Sequence, residues 1–154
     1  MSILKVDTIN EKTSGNGVQI AGHVVQVVQG TSTSYLTLGS DNTHVDTGLT
    51  ATITPKSASS KILILHHASV VYLNNYDAII RLLRGSTNIH QLNMYSTVTT
   101  YSMTTAAFQF LDSPSTTSAT TYKTQVYKNA GTFLYNYANE VTSTATLTLM
   151  EIAQ

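Results

Sequence analysis

Five histidines are the only side chains that titrate near neutral pH in this chain of 154 residues. Two of them, His66 and His67, are adjacent in "SKILILHHASVVYL". In a strand they point to opposite faces and cannot readily share one metal ion. His44 and His90 lie far off in sequence. A metal centre would need a threefold axis that turns one histidine into three. Otherwise each is a hydrogen-bonded strand histidine, and no metal is expected. The eight carboxylates are scattered, with no close pair for acid–base work. Asp41, Asp46, Asp77 and Asp112 stand among turn-forming residues, where Asp caps backbone groups. No serine occupies a G-x-S-x-G elbow, and the chain has no P-loop and no G-x-G-x-x-G. "SGNG", at Ser14 to Gly17, is glycine-rich, but no helix follows it to receive a phosphate. The absence of cysteine removes disulfides, thiolate metal sites and cysteine nucleophiles together. We expect no catalytic residue, no metal and no cofactor.

What remains is surface chemistry. Eight of the nine tyrosines fall from Tyr72 onward, at Tyr72, Tyr76, Tyr95, Tyr101, Tyr122, Tyr127, Tyr135 and Tyr137, with Tyr35 earlier. Tyrosine presents a flat apolar face and one hydroxyl, which suits sugar rings and protein interfaces. Asparagine offers both a donor and an acceptor to hydroxyl groups. "NNY" at Asn74, Asn75 and Tyr76 joins these chemistries, and "NMYSTVTTY" does so around Tyr95 and Tyr101. These five residues are the candidate receptor-binding set. Their alternative role is in turns, with Asn75 tolerating a left-handed backbone.

The elements that must position them read as strands. Charge is only 10% of the chain, and Ser and Thr together make up roughly a quarter. Many Thr, Val, Ile and Tyr residues favour strands over helices. "LTATITP" alternates cleanly, with Leu49, Ala51 and Ile53 on one face. "SKILILHHASVVYL" is apolar on both faces until His66, as for a strand buried on both sides or lying between a core and a partner subunit. "AIIRLLRG" would also fit a helical stripe, but its shortness and its neighbours favour a strand. "DSPSTTSA", Asp112 to Ala119, reads as a polar loop. "TTYKTQVYKNAGTFLYNYA" reads as a β-hairpin turning at Lys128 to Gly131. In "TATLTLMEIA", Ala145, Leu147 and Leu149 face one way. About nine strands with frequent turn signals predict an all-β, antiparallel β-sandwich or jelly roll. Residues 1–30 hold short, glycine-interrupted strands that cannot satisfy their own backbone. They are expected to form an arm or oligomerisation collar, and residues 31–154 a head domain.

Formal net charge is +0, and no basic run is present. A nucleic-acid partner is therefore not expected. The longest apolar run, "ILIL", is too short to span a bilayer as a helix. No apolar segment follows Lys5, so no signal peptide is expected, and synthesis in the cytosol is.

"SILKVDTINEKTSGNGVQIAG" resembles an N-terminal motif of virion proteins in tailed bacteriophages, marine phages and cyanophages above all. The pattern is V-D-T-I, a few polar residues, then G-N-G-V and an apolar residue. Val6, Asp7, Thr8, Ile9, Gly15, Asn16, Gly17 and Val18 match it. "TPKSASSKILIL", "LLRGST", "FLDSPSTTSATTYKTQVY" and "LTLMEI" look like the C-terminal β-domain of such tail-fibre proteins. The resemblance implies a homotrimer in the virion, made in the host cytoplasm and bound to other tail or capsid proteins. It places attachment and oligomerisation on Val6, Ile9, Asn16, Val18 and Ile20. The chain shows no long shaft and no large attachment domain, which departs from most fibres. Two roles follow. One is a short spike or tail-fibre adhesin that binds host-surface glycan or protein. The other is a capsid decoration or capsid-fibre protein that binds only virion proteins.

Overall fold

The computed structural model describes Thr8, Asn10 and residues 20–39, 42–73, 76–97, 100–137 and 143–154, with 71–73, Tyr76 and Ser96 described at the backbone only. Among the described residues there is no helix. The strands are β1 (Val24–Ser32), β2 (Leu36–Thr37), β3 (Val45–Ile53), β4 (Lys61–Leu73), β5 (Tyr76–Arg84), β6 (Thr87–Ser96), β7 (Ser102–Asp112), β8 (Thr120–Lys128), β9 (Thr132–Tyr135) and β10 (Ala145–Ile152). The "AIIRLLRG" segment is thus a strand.

Every pairing is antiparallel. In the first sheet, β7 lies on one side of β4, while β10 and β9 lie end to end on the other. β1 pairs with β10 and β2 with β9, so β1 and β2 act as one interrupted strand, and β9 and β10 as another. The second sheet runs β3-β8-β5-β6. Counting the interrupted strands once, the chain order is first-eighth-third-sixth in one sheet and second-seventh-fourth-fifth in the other. This is jelly-roll connectivity. Both interruptions are held by Asn136. It adopts a left-handed backbone (φ 56°), donates its N–H to the Ser69 carbonyl at 2.7 Å, and donates its side-chain amide to the carbonyls of Ser32 and Ser34.

The alternating residues build the core between the sheets. Leu49, Ala51 and Ile53 are buried from one side, and Ile62, Ile64, Ala145, Leu147 and Leu149 from the other. Three features depart from the reading of the sequence. β8 and β9 do not form a hairpin: β8 pairs with β3 and β5, β9 with β2 and β4. The turn at Gly131 (φ 68°) carries the chain from one sheet to the other, which lets the apolar faces of both strands meet across the core. Residues 24–30, read from the sequence as part of the arm, lie in β1, an edge strand paired with β10. Lastly, Asp46 and Asp77 lie in strands, and Asp112 ends one as a buried group; Asp41 lies outside the described residues. Asp112 accepts from Arg84 at 2.9 Å and from the Tyr122 hydroxyl at 2.7 Å, which latches β7 to the opposite sheet. Glu151 is likewise fully buried, accepting from Gln26 and from the backbone N–H of Lys56 and Ser57. Burial opposes its ionisation, but these donors outweigh it and hold the carboxyl below its usual pKa.

The two sheets touch most closely where β1 crosses β3. A Cβ on Gly30 would lie 2.0 Å from the Thr50 carbonyl oxygen, an impossible contact with backbone. Gly30→Ala should therefore force β1 outward and destabilise the fold by about 1–3 kcal/mol or more. Urea unfolding of the variant beside wild type measures this, and an unchanged midpoint would show that the edge can give way freely.

Candidate functional site

The outer face of the β3-β8-β5-β6 sheet is crossed by rows of side chains set by strand register. One row is Asp46, Gln125, Arg81 and Gln91. The next is Tyr127, Ile79 and Asn93, and beyond it Asp77 pairs with Tyr95. All of these but Asp46 and Gln125 line a groove of about 940 Å³ that also takes in Asn42 and His44. Ile79 supplies an apolar floor. Tyr95 stands at the side, 68% exposed. Tyr127 is anchored, its hydroxyl donating to Asn42 Oδ1 at 2.8 Å and its ring meeting His44 edge-on at 4.9 Å. Asn42 holds this position with a left-handed backbone, and its N–H donates to the Lys128 carbonyl.

Polar groups in and beside the groove divide into used and unused. Gln91 donates to Asn93 Oδ1 at 3.1 Å. The Asp77 carboxylate accepts from the Asn129 amide, and Asp46 is taken by Lys123 and Gln125. Those last two bonds, Lys123 first, hold the Asp46 carboxyl below its ordinary pKa. Arg81 Nε and His44 Nδ1, by contrast, have no exposed surface and no hydrogen-bond partner. The His44 pKa is lowered, first by burial and then by the Arg81 charge, so the imidazole is neutral at pH 7. The groove thus combines an aromatic face, amides, one guanidinium and one carboxylate. It can hydrogen-bond hydroxyls and stack against a ring.

A second hollow of about 590 Å³ lies on the other sheet, lined by Tyr35, Tyr101, Met103, Leu134 and Tyr137 among others. Tyr35 and Tyr137 meet edge-to-face at 5.8 Å. Two of the candidate receptor residues, Tyr95 and Tyr101, are therefore not brought together. Tyr95 lies in the first groove and Tyr101, 66% exposed, in the second hollow. Tyr76 opens β5 opposite Ser96, and Asn74 and Asn75 lie outside the described residues. Of the attachment set, Val6, Ile9, Asn16 and Val18 also lie outside them. Ile20 is about half exposed and accepts from the His23 N–H in a turn before β1. Sequence reasoning missed Arg81 and Gln91, and touched Asn93 only as the start of "NMYSTVTTY". The alternation "QLNMY" in β6 was the available signal, since it puts Gln91, Asn93 and Tyr95 on one face.

Among the described residues no group of three or more His, Asp or Glu could hold a metal. His66 and His67 do point to opposite faces, His66 buried and His67 exposed. His66 stacks on Phe108 at 4.6 Å and lies 3.0 Å from the Tyr135 hydroxyl. Burial, with the neighbouring His67 charge, brings its pKa down to about 4. Burial pushes the Tyr135 hydroxyl up to about 12, against the effect of Thr124 and Thr47.

No family model matches this chain, and no curated protein matches it either. Among solved structures it is similar to Eiger TNF from S. frugiperda, at 9% identity and a TM-score of 0.43, over 83% of this chain and 92% of that one.

The depressed His66 pKa has a definite stability consequence. Below about pH 6.5 the unfolded chain takes up a proton that the folded chain refuses. Stability should fall as pH drops from about 6.5 towards 4, by up to about 3 kcal/mol, and then level off for this group. His66→Gln keeps a partner for Tyr135 and should lack this step. Unfolding free energies measured across that range for both proteins check it, and parallel curves would refute it.

Proposed function

We propose that this chain is a non-enzymatic virion protein, a trimeric short-fibre or spike adhesin that binds host-surface glycan. The sheet groove is the observation that carries the binding role. Tyr95 exposes a ring beside the amides of Gln91 and Asn93, and its hydroxyl makes no hydrogen bond among the described residues. A flat apolar face flanked by donor–acceptor amides is the chemistry that sugar rings require. The virion context is supported by the resemblance of the V-D-T-I and G-N-G-V segments. No nucleic acid or membrane insertion enters this reading. No helix among the described residues is long and apolar enough to cross a membrane.

Trimer formation is supported by the outer face of the other sheet. Val27, Met150, Leu63 and Leu111 stand in one register row across all four of its long strands. Val27 and Leu111 are about half exposed. Burying a Leu or Val side chain contributes roughly 1.5–3 kcal/mol, so covering this row three times over would drive association. Decoration is the second reading, with the same row held against a virion shell.

Sedimentation equilibrium at micromolar concentration should give about three times the 16.7 kDa chain mass, and Leu63→Glu should shift the protein toward monomer. A clean wild-type monomer would rule out the trimer. In a cell-binding assay with purified protein and the bacterial host, Tyr95→Ala should weaken each site roughly tenfold, about 1.4 kcal/mol. Failure of wild type to bind cells at all would remove the adhesin reading in favour of decoration.

A further inference from the structure

We propose that the groove takes a carboxylated sugar, its carboxylate received by Arg81 and His44 and its ring face stacked on Tyr95. This rests on the adhesin reading and names the ligand class within it.

The argument begins with Arg81. Its place in β5, between Gln125 and Gln91, sets it in the middle of the sheet face, half-buried. It forms no ion pair among the described residues. The acidic side chains of the same face are occupied: Asp46 by Lys123 and Gln125, Asp77 by Asn129. A guanidinium is always charged and presents a planar fork of donors, which fits a carboxylate with two parallel hydrogen bonds. The buried Nε without an acceptor is the second observation. A donor that has lost water and gained nothing is a standing cost unless an acceptor arrives.

His44 repeats the pattern independently, with Nδ1 also buried and unpartnered in the same groove. In its Nδ1–H tautomer the neutral ring donates one hydrogen bond and adds no charge. The groove therefore offers one cation, one neutral donor and, towards its end, the Asp77 carboxylate. That balance suits a monoanion better than a dianionic phosphate. The remaining groups match the rest of a sugar acid. The Gln91–Asn93 bond leaves Asn93 Nδ2 and Gln91 Oε1 for hydroxyls, and Tyr95 offers its ring.

The test uses the full chain and a panel of hexamers of galacturonate, glucuronate and sialic acid, each beside its carboxyl-reduced counterpart. Calorimetry should show binding to at least one acid oligomer and at least tenfold weaker binding to its reduced partner. Arg81→Gln should bind the acid oligomer as weakly as wild type binds the reduced one. Arg81→Lys, which keeps the charge but loses the fork and Nε, should fall between them. Both variants must first melt like wild type, and a phosphorylated hexasaccharide supplies the competing anion. Equal binding of acid and reduced oligomers, with loss in Tyr95→Ala, overturns the carboxylate and leaves the glycan groove standing. Stronger binding of the phosphorylated sugar also overturns it. If no oligomer binds while cells are bound through Tyr95, the carboxylated sugar is wrong but adhesion is right. If neither cells nor oligomers are bound, both fail.

Discussion

Gly30 lies against the Thr50 carbonyl, so backbone meets backbone where the two sheets come together at β1 and β3. No side chain fits there, and the closeness of that edge sets the sandwich. At the opposite edge the sheets are bridged by rings. His90 of β6 packs on Phe108 and Phe110 of β7, at 5.2 Å and 5.1 Å between ring centres. His66 stacks on the far side of this group and reaches Tyr135. One edge is closed by having no side chain and the other by several large ones. One end of the sandwich is fixed as well, since the Asp112 and Glu151 clusters sit where β7 and β10 finish. The groove is left to the other half of the sheet face, around the start of β5 and the end of β6.

Buried polar groups separate structure from site. Asp112 and Glu151 are buried with their oxygens occupied, as expected where an unpaired buried charge would cost several kcal/mol, on the order of 3–5. His66 Nδ1 is unpartnered too, but its ring is sealed among aromatic neighbours where no ligand can reach. Asn136 Oδ1 is similarly enclosed at the strand interruption. Arg81 and His44 differ because the two residues line an open groove, although the unpartnered atoms themselves are covered. Position, more than the lack of a partner, gives them chemical meaning.

Much of the sandwich was legible because alternation is a local property. Leu49, Ala51 and Ile53 declared their face without reference to any other strand, and so did Ala145, Leu147 and Leu149. The false hairpin at Lys128 to Gly131 shows the limit. A turn signal says that the chain reverses, not whether it returns in the same sheet. The site was legible only in part. Tyr95 was marked by the asparagine and tyrosines of "NMYSTVTTY". Arg81 was hidden in "AIIRLLRG", where apolar neighbours on both sides masked it. The fate of Asp112 depended on Arg84 and Tyr122 arriving from two other strands, which no local pattern records. Asn74 and Asn75 lie outside the described residues, so their part in the candidate set is carried by their sequence alone.

The outer faces of the two sheets differ in kind. One carries the row Val27, Met150, Leu63 and Leu111, apolar from edge to edge. The other carries amides, carboxylates, tyrosines and Arg81, with Ile79 as the apolar floor. A jelly roll puts these faces on opposite sides of one core, so a protein can give one to assembly and keep the other for a ligand. If the apolar face packs around a threefold axis, as proposed, each groove is turned away from that axis. Three weak sites then face outward on one rigid body. Effective concentration strengthens binding to a surface only if the receptors can meet several grooves at once. A low-charge surface also matters here, because contacts built from stacking and neutral hydrogen bonds are little affected by salt. Arg81 is the exception, and its half-buried position shields it from the screening that an exposed guanidinium would suffer.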